Sequence, residues 1–159
     1  MTQEEKKLLL KDLCARLPYG VICQIYDPQQ DYGEDIFDAR LIHIDAWTSH
    51  CYFWGCSETD PYKIEQVKPY LRPMSSMTEE EKREYASFIG GQKPFYSDFS
   101  AYPKEYRFIY EWDVSNYVNW LNFHHFDYRT IYDEDKKKYM SMIEKGLAIE
   151  APEGMYNIK

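Results

Sequence analysis

The sequence predicts an α+β fold: a small antiparallel β-sheet or SH3-like barrel over about residues 19–72, an N-terminal helix before it, and a helical, aromatic-rich segment after it. Three observations carry that reading. Short runs of β-branched and aromatic residues, bounded by Gly, Pro and Asp, fill the stretch from Val21 to Leu71. A capping box opens each flanking helix, Thr2 with Glu5 and Thr78 with Glu81. Between sheet and second helix, Pro69 and Pro73 forbid a continuous helix, so the chain changes character over Val67 to Tyr85. The organisation expected is one domain over residues 1–159, with sub-modules at 1–18, 19–72 and 73–159.

Taken in order, the first helix should run from about Gln3 to Arg16, with Leu9, Leu10, Leu13 and Leu17 on its core stripe and Arg16 complementing the dipole, until Pro18 and Gly20 end it. Val21 to Tyr26 reads as a strand closed by the turn-forming Asp27-Pro28. From Ile36 to Trp47 neither alternating face is cleanly apolar, which predicts a strand that bends or bulges and changes the side it buries. Cys51 to Trp54 and Lys63 to Leu71 complete a meander. A helix from Glu79 to Ile89 ends at Gly90-Gly91, and Gln92 to Tyr106 is an ordered loop packed by its aromatics, with a strand possible in sequence terms at Arg107 to Tyr110. Asp113 or Ser115 caps a buried helix reaching about Phe126. Asp133 to Ile143 is a charged segment read as a solvated helix or excursion, and the tail after Leu147 as a short strand or extended segment.

Composition narrows the function classes. A chain of 159 residues buries roughly two thirds of its unfolded surface, enough to fold without metals, disulfides or other cofactors. A net charge of -8 opposes direct nucleic-acid binding, which depends on Lys and Arg contacts to phosphates. No run approaches the roughly 18 apolar residues of a membrane span, and the N-terminus is charged where a secretory signal is apolar. A cytoplasmic protein is expected. Cys14, Cys23, Cys51 and Cys56 follow no framework spacing and read as buried thiols. Aromatic residues make up 18% of the chain, with 16 tyrosines, more than a core can absorb if each hydroxyl needs a partner. Surface aromatics are therefore expected, and the candidates for recognition are Trp47, Tyr52, Trp54, Phe95, Tyr96, Phe99 and Tyr102.

Candidate chemistry is sparse. His124, His125 and Asp127 are metal-ligand types, but neighbours on a helix point about 100 degrees apart, and a third ligand would have to come from His43, His50 or a distant carboxylate. The competing reading of that cluster is a helix-terminal histidine supporting the last carbonyls. Cys51 and Cys56 are one residue too far apart for a zinc knuckle and lack a second pair. Cys23 or Cys51 with His43 would be a nucleophile and base set in strands, away from any helix N-terminus that would depress a thiol pKa. There is no glycine-rich phosphate loop. No complete catalytic constellation is present, which argues against an enzyme.

Three segments carry a resemblance: Lys68-Pro69-Tyr70-Leu71-Arg72-Pro73-Met74-Ser75-Ser76-Met77-Thr78-Glu79-Glu80-Glu81, Trp120-Leu121-Asn122-Phe123-His124-His125-Phe126-Asp127-Tyr128-Arg129, and Gly146-Leu147-Ala148-Ile149-Glu150-Ala151-Pro152-Glu153-Gly154-Met155-Tyr156. With the opening from Lys11 to Val21, they resemble a group of uncharacterised proteins carried by phages and prophages of gut anaerobes. Here the second and third segments are separated by an extra run, Thr130 to Met142. The resemblance brings no known catalytic residues. It implies a small accessory protein of a mobile element, acting in the host cytoplasm by binding a host protein, as an inhibitor of host defence would. It also makes the central β segment a candidate specificity surface. Two alternatives stand beside this: a sequestering pocket for a nucleotide signal, whose base would stack on Tyr or Trp, and a metal-dependent hydrolase using His124, His125 and Asp127.

Overall fold

A computed structural model describes residues 1–30, 33–45, 47–56, 61–88 and 116–156. The expected aromatic loop Gln92 to Tyr106, the strand at Arg107 to Tyr110 and the caps Asp113 and Ser115 lie outside the described residues. The chain is α+β and divides into two compact units, Met1–Tyr70 with Leu147–Ile149, and Leu71–Gly146 with Glu150–Lys159.

The first unit opens with helix α1, Gln3–Arg16. Thr2 Oγ1 accepts the Glu5 amide at 3.1 Å and the Glu5 carboxylate accepts the Thr2 amide at 3.4 Å, the reciprocal cap its sequence announces. Pro18 ends the helix in a short 3-10 turn, and Gly20 takes a φ of 71°, a left-handed conformation that glycine adopts without strain. The buried stripe differs from expectation. Its members are Leu9, Asp12, Leu13 and Arg16, with Leu10 and Leu17 only half buried. Asp12 and Arg16 face each other one turn apart at 2.9 Å, both side chains fully enclosed. The apolar surroundings are tolerable because each ion meets its counter-charge.

Strands β1 (Ile22–Gln30), β2 (Gly33–Asp45), β3 (His50–Phe53), β4 (Tyr62–Lys63) and β5 (Val67–Pro73) follow. With β6 (Phe126–Asp127) and β9 (Ile149–Glu150), the main sheet has seven strands among the described residues, in the order β4-β3-β2-β1-β5-β6 with β9 also paired to β5, and is mostly antiparallel. Asp27-Pro28 is not the turn its composition suggests. The strand continues to Gln30 through a register shift between Asp27 and Gln30, which accommodates the ladder bond that proline cannot donate. In β2 the register against β3 shifts between Leu41 and His43, the irregularity expected from its unclean alternation. The shift returns Ile44 to the side of Leu41, opposite the buried Cys51 and Phe53. Leu9 and Leu13 of α1 and Cys23, Ile25, Leu41, Phe53 and Val67 of the strands are all buried.

An SH3-like barrel is not formed, because the sheet stays open. Strand β4 is two residues long before a 3-10 turn at Ile64–Gln66, too little ladder to roll one end onto the other. At the opposite end, β6 (Phe126–Asp127) pairs with β5 in parallel, Arg72 opposite Phe126.

In the second unit, α2 (Glu79–Phe88) starts where the capping box places it: Thr78 Oγ1 accepts the Glu81 amide at 3.1 Å and Glu81 Oε1 accepts the Thr78 amide at 2.9 Å. Thr78→Ala should cost about 1 kcal/mol, read as a lower denaturant midpoint; an unchanged midpoint would mean that the cap is redundant. Helix α3 (Asn116–Phe123) stops short of the expected Phe126. His125 adopts a φ of 61° and its amide donates to the Asn122 carbonyl, so the chain leaves the helix there and enters β6. Met74, Met77, Tyr85, Val118, Leu121, Phe126 and Tyr128 form the core of this unit, with Trp120 packed against it.

The charged segment after Asp133 is not a helix. Strands β7 (Thr130–Asp133) and β8 (Lys138–Ser141) form a hairpin, and the Asp133 carboxylate accepts the Lys136 amide across the turn. Lys145, at the end of the four-residue helix α4 (Met142–Lys145), donates to Asp133 at 2.8 Å, and that contact holds the Asp133 pKa down at about 2. Strand β9 is Ile149–Glu150. All four cysteines are free; Cys23 and Cys51 are buried, but Cys56 is half buried and Cys14, expected inside, is exposed. Among the described residues no helix is long and apolar enough to cross a membrane.

Candidate functional site

Of the aromatic candidates, Trp47, Tyr52 and Trp54 lie in the first unit, and Phe95, Tyr96, Phe99 and Tyr102 lie outside the described residues. Trp47 stands in the turn before β3 and is 97% exposed. The turn itself is well fixed. The Trp47 amide donates to Asp45 Oδ1 at 2.9 Å, the Ser49 amide donates to the Asp45 carbonyl at 2.8 Å, and Ser49 takes a φ of 58°. The Trp47 amide, with the Thr48 amide and hydroxyl adding to it, holds the Asp45 carboxyl below its ordinary pKa. Trp54 follows the other end of β3 and is 67% exposed. Its amide donates to the Arg40 carbonyl, which places it beside the outward face of β2, where Ile36 and Ile42 are also exposed. Tyr52 is half buried on the same side, its ring 5.3 Å from that of His43.

The histidine cluster is taken apart by the fold. His124 stays on the α3 side, its ring 4.5 Å from Trp120 and its Nδ1 3.4 Å from Glu81 Oε2. Burial lowers its pKa below 6.5, with Glu81 opposing that shift and Arg72 adding to it. His125, turned away by its left-handed backbone, is buried and stacked on Tyr156 at 3.7 Å. Asp127 is buried too, and its two oxygens accept the amides of Met142 at 3.2 Å and Ile143 at 3.0 Å, so the carboxylate anchors the start of α4. The three residues thus serve three separate settings. Among the described residues no group of three or more His, Cys, Asp or Glu side chains is placed to hold a metal ion.

Two concavities accompany these features. In the first unit, a pocket of about 360 Å³ is lined by Lys6, Lys7, His50 and Lys63, with Thr48 and Ser49 of the Trp47 turn. Among the described lining residues Glu65 is the one carboxylate, and it is engaged by Lys6 at 2.7 Å, an ion pair that lowers its pKa. In the second unit, a cleft of about 1170 Å³ runs between α2, α3 and the Glu150 to Tyr156 tail. At its base the Arg72 guanidinium is held bidentately by Glu81 at 2.8 and 2.7 Å and lies 4.2 Å from the centre of the Phe126 ring. Burial works to raise the Glu81 pKa, but the hydrogen bonds from Arg72 and the Thr78 amide outweigh it and bring the value below 4.5. Trp120 donates its indole N–H to Glu84 at 3.0 Å on the same wall. Sequence reading missed this cleft, because Glu81 is legible as a capping residue but nothing in its spacing from Arg72 announces the ion pair.

Compared with protein-family models, curated proteins and solved structures, the chain matches none.

Proposed function

We propose that this chain is a non-enzymatic binding protein that engages a host protein through the aromatic surface of its first unit. The observation that carries the reading is Trp47, 97% exposed on a turn whose backbone is tied at both ends to Asp45. A tryptophan held out in water by an ordered turn keeps its apolar area available and loses little further backbone freedom on binding. Trp54, Ile36 and Ile42 supply the rest of an anchor surface. The resemblance to phage and prophage proteins supports a bacterial host cell as the setting and interference with host defence as the outcome.

A photo-reactive residue at position 47 or 54 should crosslink one and the same host protein, and one at Glu134 should not. With that partner isolated, Trp47→Ala and Trp54→Ala should each raise Kd about thirtyfold, roughly 2 kcal/mol, and leave the melting temperature unchanged. Binding that survives the double substitution would refute the surface.

The nucleotide-signal alternative has one observation in its favour, the lysine-lined pocket beside the Trp47 turn. Adenosine diphosphate is the probe: calorimetric binding lost in Lys7→Glu/Lys63→Glu, with host-protein binding retained, would shift the assignment to that pocket.

A further inference from the structure

We propose that the cleft of the second unit is a binding site for a basic peptide segment, whose arginine or lysine side chains lie against its aromatic wall and are met by its carboxylates. The site draws only on residues of the second unit and is independent of the Trp47 surface.

The lining has the chemistry that recognises organic cations. Trp120, Phe123 and Tyr156 contribute aromatic side chains, and Phe123 is 42% exposed although it lines the cleft. Ring faces attract guanidinium and ammonium groups, most of all where water is partly excluded. Glu80, Glu84, Glu150 and Glu153 add carboxylates, while Arg72, the one lysine or arginine among the described lining residues, is already engaged by Glu81. Among the described residues no lysine lines it. The charge these residues place in the cleft is therefore net negative, which repels phosphates and favours cations. The fold supplies its own example of the contact: Arg72 sits over Phe126 at 4.2 Å while a glutamate grips its fork. A ligand arginine could repeat that arrangement at the neighbouring carboxylates, its planar fork matching them better than an ammonium does.

Size selects the occupant. A cleft of about 1170 Å³ exceeds the roughly 300–1,000 Å³ typical of sites for single small molecules, and an extended segment with several cations uses that length.

The test titrates a fluorescently labelled peptide of alternating arginine and glycine at about 0.15 M salt, where exposed charges are screened beyond ~8 Å. Glu80→Gln/Glu150→Gln/Glu153→Gln should weaken binding at least about tenfold. The control Glu4→Gln/Glu134→Gln/Asp135→Asn removes as much charge elsewhere and should change it less than about twofold. Peptide should also shift the Trp120 indole N–H resonance, and Trp47→Ala/Trp54→Ala should bind peptide as the natural chain does, which separates this site from the host-protein surface. Equal weakening in both charge variants, an unmoved Trp120 resonance, or displacement of the peptide by spermine at equal charge would each overturn the proposal, the last because a small polyamine would then suffice.

Discussion

Asp12→Leu should lower stability by about 4 kcal/mol, because it removes the carboxylate facing a guanidinium that the protein encloses completely. Leucine is close enough in size to rule out a cavity as the cause, so the loss reports the charge left behind. Arg16→Met should cost a similar amount, about 3–4 kcal/mol, for the mirrored reason. The double variant should recover much of the loss, since two apolar side chains of similar volume need no counter-ion. Urea unfolding of the two single variants and the double closes the cycle. Additive losses would mean that Asp12 and Arg16 act through separate neighbours and that their 2.9 Å contact matters little.

The second large effect is expected at Glu81, which serves two structures at once. Its carboxylate closes the α2 capping box and holds Arg72 through both guanidinium nitrogens. Glu81→Ala should therefore cost about 3 kcal/mol, beyond the ~1 kcal/mol of a lost cap, because it also leaves the half-buried Arg72 without that carboxylate. The pH profile distinguishes the two contributions. Glu81 has a folded pKa below its ordinary 4.5, so the unfolded chain takes up its proton first as pH falls. Stability supplied by this group is complete above the ordinary value and is lost as pH falls through the folded one. The alanine variant should lack that part of the acid limb, whereas Thr78→Ala should keep most of it. Identical acid limbs in all three proteins would remove the Arg72 pair as a source of stability.

What could be read in the sequence is what local chemistry enforces. Thr2 with Glu5 and Thr78 with Glu81 give the helix starts because a cap needs only residues three apart. The β2 irregularity was legible for a similar reason: an alternation that fails on both faces has to break somewhere. The misreadings share a different cause. Asp12 and Arg16 look like ordinary surface charges of a helix, and only tertiary packing turns them inward. Asp133 to Ile143 has the charge pattern of a solvated helix or excursion, and of the two only the helix fails, because Ile131 and Tyr132 opposite Met140 and Tyr139 make the segment a hairpin. At the histidines, one left-handed residue reverses the local geometry, and no composition rule reveals a positive φ at His125. Trp47, Tyr52 and Trp54 could be nominated as surface aromatics, but the cleft could not, since its walls come from segments distant in sequence.

The two-residue strand β4 also limits how another polypeptide can attach. It ends the strand order and passes at once into the turn at Ile64–Gln66, with Lys63 exposed, so among the described residues β4 itself offers only a two-residue ladder of backbone donors and acceptors for an added strand. Strand donation by a partner, and end-to-end stacking of copies into fibrils, both require such a ladder. Over β4 itself the short ladder therefore disfavours both, and it leaves side-chain shape and charge, rather than main-chain pairing, as the means of choosing a partner at that strand.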